Sequence, residues 1–314
     1  MMFVWAMLAG LALDALIGDP EWFPHPVRLI GRYISWMEGI LRARAGNLRR
    51  AAVWLTLSTV VLTMLATALA LWLLSLLGRW PLFAGMALIS WMCLSRKCLS
   101  AEAMGVSSAL ERSLADGRRQ VARIVGRDTA QLNSEEIVKA TVETVAENTT
   151  DGVISPMIYL MLGGPVLGMG FKAASTLDSM VGYLDEKYRD IGWSSARLDD
   201  VLNYVPARLC ALLLCASAWF LGLDARGAWR IVRRDHANHK SPNCAWSEAA
   251  AAGALGIQLG GTHLYFGKPV EKPTIGDALR PATSGMIRQT CRLMTVATLL
   301  AAGICAACAL GIAL

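Results

Sequence analysis

The chain has 314 residues, of which 55% are hydrophobic and only 17% charged, with a mean hydropathy of +0.44. A soluble domain carries about 25% charged residues, so these figures exclude an ordinary water-soluble globule, a disordered chain, collagen and a disulfide scaffold. Thirty Lys+Arg against twenty-four Asp+Glu leave a net charge of +6, which in so apolar a chain points to cationic loops beside anionic lipid, with no nucleic-acid partner.

The first apolar run covers 2–17 and is interrupted by Asp14. It lacks a basic start, so it reads as an uncleaved span and not a signal peptide. An ionisable group at membrane depth is a functional candidate by default; the alternative is that Asp14 lies near the interface and bonds the adjacent turn. The following IGDPEWFPHPVRLIG reads as a rigid, unhelical loop presenting Asp19, His25 and Arg28.

Residues 51–77 run twenty-seven positions and 293–314 twenty-two without a charge, and each is long enough to cross a hydrocarbon core of roughly 30 Å as a helix. The shorter run 81–95 follows a tight break at Gly78, Arg79, Trp80 and Pro81, which predicts a hairpin with 51–77. Trp72, Trp80 and Trp91 suit interfacial anchoring. The runs 153–171, broken by glycines and prolines, and 201–223, containing Pro206 and Arg208, read as re-entrant or short spans. The positive-inside rule places 18–50, 96–152 and 224–292 in the cytoplasm.

The polar segments read as amphipathic helices, and no alternating strand pattern with hairpin turns is apparent. Asn133 followed by Glu136 is a capping-box signal; Ile137, Val138, Val142 and Val145 then mark one stripe, with Glu136, Lys139, Glu143 and Glu147 on the other side. A second amphipathic stretch over 101–125 carries Leu110, Leu114, Val121 and Ile124. The fold class is all-α: one polytopic membrane domain over 1–314 with about four to six transmembrane or re-entrant helices.

In ETVAENTTDG, Glu143, Glu147 and Asp151 recur every four residues at a helix end. Like charges at that spacing cost a few tenths of a kcal/mol each, and a divalent cation would reverse the sign, with Asn148 as a further oxygen donor. The bland alternative is a solvated acidic face offset by Lys139. GMGFKA (168–173) matches the dinucleotide fingerprint in form but lacks the preceding strand, and no P-loop is present. KAASTLDSMVGY gathers Lys172, Ser175, Thr176, Asp178 and Tyr183, a polar set suited to phosphate and metal, whereas Asp185, Glu186, Lys187, Asp199 and Asp200 read as solvated. His236 and His239, three apart, would share a helix face in a basic substrate-binding stretch. Cys305 and Cys308 form CxxC mid-span and read as packing; the eight Cys as a whole read as reduced thiols.

Through DALIGDPEWFPHPVRLIG, ETVAENTTDGVISP, KAASTLDSMVGY, RLDDVLNYVPARL, HKSPNCAWSEAAAAGALGIQLGG and YFG, the chain resembles the CbiB/CobD family, the membrane-bound adenosylcobinamide-phosphate synthases of cobalamin biosynthesis. The match runs in order from about Leu13 to Gly267; Gly260-Gly261-Thr262-His263 departs from it, since proline is expected after the paired glycines. The resemblance implies an ATP-dependent ligase that joins adenosylcobyric acid, a corrinoid, to (R)-1-aminopropan-2-yl phosphate through an acyl phosphate. It implies Mg²⁺ held by Glu143, Glu147, Asp151 and Asp178, phosphate contacts from Lys172 and Arg28, and aminopropanol-phosphate binding by Arg208. His25 would take the proton of the attacking ammonium. Asn148, Ser175, Thr176, Tyr183 and Asn243 would line the substrate site, with Asp14 and Asp19 adjacent to the metal. A cell inner membrane location with a cytoplasmic site, re-entry of 153–171, and association with other pathway enzymes complete the expectation. A transporter or a non-catalytic sensor related to the family are the alternatives.

Overall fold

The computed structural model describes residues 2–20, 22, 24–183, 185–265 and 267–311. Glu21 and Phe23 of the Pro-rich motif, Phe266 of YFG, and the last three positions of the run 293–314 lie outside the described residues. Helices dominate, and among the described residues five helical stretches are long and apolar enough to cross a membrane: Leu48–Leu76, Arg79–Arg112, Ser134–Val181, Trp193–Phe220 and Ser284–Gly311. The chain is a polytopic α-helical membrane protein. The contacts expected to form one domain over 1–314 group into two compact units, 1–95 with 155–203 and 302–314, and 96–154 with 204–301.

In the first unit, α1 (Met2–Ile17), α2 (Pro26–Arg44), α3 (Leu48–Leu76), α4 (Arg79–Cys93) and α8 (Ser155–Val181) pack together. Asp14 is fully buried on α1. The Pro-rich stretch is shorter than expected: His25 is the N-cap of α2 and Pro26 its first residue, a position where proline's missing N–H costs nothing, so Arg28 is helical. The break between α3 and α4 is also shorter, because Arg79, Trp80 and Pro81 already belong to α4 and only Gly78, at φ +114°, requires glycine's freedom. Trp72 and Trp80 are exposed as anchors should be, but Trp91 is buried and its Nε1–H donates to the Gly18 carbonyl at 2.8 Å. Within α8 the helical dihedrals fail at Gly163 and Gly164, just before Pro165; the glycine-broken run is a kinked helix. GMGFKA lies inside it, with helix on both sides.

The second unit contains α5 (Arg96–Arg112), α6 (Leu114–Val121), α7 (Ser134–Thr149), a π-turn (Thr150–Ile154), α10 (Ala225–Asp235) and α11 (Cys244–Leu255). The amphipathic stretch 101–125 divides where Ser113 caps α6 by accepting from the Asp116 N–H, which leaves Leu114 exposed. The Asn133 capping box forms with both of its hydrogen bonds, at 2.9 and 2.7 Å. Where no strand pattern with a hairpin turn is apparent in the sequence, β1 (Leu259–Tyr265) and β2 (Lys268–Ile275) pair as an antiparallel hairpin within the otherwise α-helical fold. Gly260 and Gly261, both at positive φ, form an irregularity in β1 that no other residue tolerates well. The remaining helices α9 (Trp193–Phe220) and α12 (Ser284–Gly311) contribute to both units. None of the eight cysteines is in a disulfide; Cys305 is buried, whereas Cys308 is exposed and does not pack.

Candidate functional site

In the second unit the capped helix α7 sends its apolar stripe, Ile137, Val138, Val142 and Val145, into the core. Glu143 departs from the expected solvated side: it is buried, because Arg127 donates to one carboxylate oxygen and the Gly260 N–H to the other, at 2.8 Å. Positive φ at Gly260 turns that N–H out of the strand ladder. The unusual glycine pair thus supplies a donor to the acid. One turn on, Glu147 accepts from the Cys244 thiol at 3.0 Å, while Lys139 is spent on Glu135 at the exposed side.

A third carboxylate arrives from α11. Glu248 is the one acid in an alanine-rich helix and is buried. Burial pushes its carboxyl well above the ordinary range, and the charges of Glu143 and Glu147 push it further, against Lys272 and Arg127. Lys272 of β2 stays cationic: burial pulls it down, but Tyr265, Glu143 and Glu248 outweigh this. His239 is lowered by burial, against the charge of Glu147, and His263 by burial and Arg127, with its Nε2 buried and unbonded. Both imidazoles are therefore held toward the neutral form. Burial and the charges of Glu147, Asp151 and Glu248 push the Cys244 thiol up, so it stays protonated and is a donor, not a nucleophile.

Arg208 stacks between Tyr204 and Trp246, its guanidinium carbon 3.5 and 4.7 Å from the ring centroids, with Asn243 Oδ1 at 3.4 Å. Such a stack preorganises a planar cation. His236 packs on Trp246 after α10 has ended, and His239 lies in the next loop, so the two histidines do not share a helix face. Asn148 gives its side-chain N–H to the Thr144 carbonyl. Asp151 sits in the π-turn, a geometry often found at functional sites.

The first unit holds the other candidates. His25 Nδ1 accepts from the Val27 N–H at 3.2 Å; burial lowers its pKa, Asp19 opposes this and the nearby Lys172 reinforces it. His25, Asp19, Lys172 and Arg28 thus share one neighbourhood. Thr176 donates to the Lys172 carbonyl, Ser175 is half-buried, and Tyr183 is exposed against Tyr188. Asp178, whose backbone carbonyl accepts from Gly182, belongs to this unit and not to that of Glu143, Glu147 and Asp151. Of the charged residues read as solvated, Asp185, Glu186 and Lys187 are exposed, whereas Asp199 and Asp200 are half-buried. Asp199 accepts from Asn203, which in turn accepts from Ser155.

Sequence reasoning missed Arg127, Cys244, Glu248, His263 and Lys272. The available signals were a lone acid within SEAAAAGA and the paired glycines. Among the described residues no three His, Cys, Asp or Glu side chains form a ready-made metal cage.

A family model described as CobD/Cbib protein matches residues 7–294. The cobalamin biosynthesis protein CobD of Geobacter metallireducens is 50% identical over 289 residues, 92% of this chain and 91% of that protein. CobD of Listeria monocytogenes is 47% identical over 300 residues, covering 93% and 94%. The cobalamin biosynthesis protein CbiB of Salmonella typhi is 47% identical over 304 residues, covering 96% and 95%. No solved structure matches the chain. With a family model spanning nearly its whole length and relatives at about half identity, the chain belongs to the CobD/CbiB family.

Proposed function

We propose that this protein is the ligase that forms adenosylcobinamide phosphate from adenosylcobyric acid, (R)-1-aminopropan-2-yl phosphate and ATP. The names of its relatives support a role in cobalamin biosynthesis. The observation that carries the finer reading is the convergence of Glu143, Glu147 and Glu248 with Lys272 and Arg127 in the second unit. Burial first, and then the charges of Glu143 and Glu147, drive Glu248 toward its neutral form; a divalent cation would relieve the repulsion, and cations beside the acids suit phosphate oxygens.

The donor set fits Mg²⁺ that enters with a nucleotide, since such an ion takes one or two carboxylates and completes its shell with water and phosphate. Glu147 would hold it by exchanging a weak thiol donor, with Glu143 alongside, anchored by Arg127 and Gly260. When bound, the ion supplies charge neutralisation on the phosphates.

A carboxylate oxygen of adenosylcobyric acid attacks the γ-phosphorus, the bond to the β–γ bridging oxygen breaks, and ADP leaves with that electron pair. Lys272 and Arg127 offset the charge spread over the transferring group. The amine nitrogen, having lost its ammonium proton, attacks the acyl carbon; the amide bond forms and the acyl–phosphate C–O bond breaks, releasing phosphate. Arg208, held between two rings, takes the phosphate of the amine substrate. In the first unit, Lys172 and Arg28 are assigned phosphate contacts, and the neutral imidazole of His25 the ammonium proton. The same reading puts the site in the cytoplasm, where a nucleotide is supplied.

Purified protein given all three substrates and Mg²⁺ should yield adenosylcobinamide phosphate and ADP in equal amounts. Glu147→Gln should abolish product while inserting normally into membranes. Absence of product from the wild type rejects the reading, and a Gln variant retaining more than half the activity at saturating Mg²⁺ removes Glu147 from the metal site.

A further inference from the structure

Helix α10, ARGAWRIVRRD, has two unlike faces. Gly227, Ala228, Ile231 and Val232 are buried against α11, where the backbones approach so closely that a Cβ on Gly253 would stand 2.5 Å from the Gly227 carbonyl oxygen. The apolar stripe is therefore consumed inside the unit and has nothing left to insert into lipid. The opposite face carries Arg226, Trp229, Arg230, Arg233 and Arg234, all exposed, around one open concavity of about 390 Å³. Arg230 and Arg234 share Asp277 at 3.4 and 2.8 Å. Arg226 and Arg233 have no ion-pair partner among the described residues.

The position of this face along the chain indicates what it meets. It follows the apolar end of α9, where Trp219 and Phe220 are 69% and 60% exposed, stacked edge to face, as an aromatic belt requires. Only residues 221–224 intervene, turned by Gly222 at φ +67°, so α10 starts within roughly 17 Å of the end of the span. Guanidinium forks match phosphate oxygens bidentately, and an indole suits the headgroup boundary. We infer that the exposed face of α10 docks on the phosphate headgroups of an anionic lipid leaflet, with Arg226 and Arg233 as its principal contacts and Trp229 lying among the headgroups. The basic face is pressed on the surface by a rigid unit; the helix is not an inserted amphipathic anchor.

The full-length protein in phosphatidylcholine–detergent micelles is titrated with phosphatidylglycerol, with more phosphatidylcholine, or with inorganic phosphate. Retained lipid is counted by native mass spectrometry and the melting midpoint recorded. Phosphatidylglycerol should be retained preferentially and raise the midpoint, and the other two additives should do neither. Arg226→Gln with Arg233→Gln should weaken that retention by about 30-fold. Arg112→Gln with Arg119→Gln, which removes the same charge from the end of α5 and from α6, should leave it intact. Arg226→Lys with Arg233→Lys should keep most of it, which separates lost charge from lost folding. Equal retention of both lipids overturns the inference, as does an unchanged double Gln variant, an equal loss in the Arg112/Arg119 control, or failure of the Lys pair to retain lipid. A shift reproduced by inorganic phosphate would make the face a soluble-phosphate site and also overturns it.

Discussion

Arg127 and Glu143 form an ion pair whose side chains are only 6% and 11% exposed, with Glu143 inside the helix that carries the acidic motif. A buried pair adds little net stability by itself, but removing one partner strands the other charge. Arg127→Met should therefore lower unfolding stability by about 3–5 kcal/mol, and adding Glu143→Leu should recover most of the loss. Denaturant unfolding in detergent reads both variants. A single variant as stable as the wild type would show that the pair does not exist.

The crossing of α10 and α11 gives a second expectation. A Cβ on Gly253 would also stand 2.7 Å from Ala228 Cα, a backbone atom that cannot swing aside. Gly253→Ala should cost about 1–3 kcal/mol through forced separation of the helices, even though alanine is the better helix former by about 1 kcal/mol. A melting midpoint at or above that of the wild type would contradict the close crossing.

Acid sensitivity follows from Asp235. The Arg234 guanidinium bonded to both of its oxygens holds the carboxyl below its ordinary value; burial opposes this and the Gly276 N–H adds to it. A depressed folded value means the contribution is present above the unfolded value of about 3.9 and is lost as pH falls through the folded one. Asp235→Asn should cost about 1–2 kcal/mol at neutral pH, and its midpoint should fall less steeply than that of the wild type below about pH 4. Parallel profiles would remove Asp235 from this role.

These residues also show what the sequence could and could not disclose. The Asn133 capping box was legible because its partners are three residues apart, and the long spans because hydropathy is a local sum. The burial of Glu143 was not, since Arg127 lies 16 residues before it and Gly260 117 after. The β1–β2 hairpin was hidden by its two glycines, by Pro269 and Pro273, and by strands that are mostly exposed, which blur the alternation a strand normally displays. Glu248 is hard to single out inside an alanine run, and its helix has almost no solvent side. By residue type alone Trp91 suits an interfacial anchor, while its indole serves a buried carbonyl. Partners distant in sequence, more than residue types, separated the legible from the hidden.

The route of the activating oxygen tests the ligase reading most directly. Adenosylcobyric acid labelled with ¹⁸O in its free carboxylate is turned over with the amine phosphate and Mg·ATP, and the inorganic phosphate is collected. Passage through an acyl phosphate delivers one labelled oxygen to each phosphate released, with ADP unlabelled. Product formed with unlabelled phosphate, or label recovered in AMP, would contradict γ-phosphoryl activation at the carboxylate-rich site.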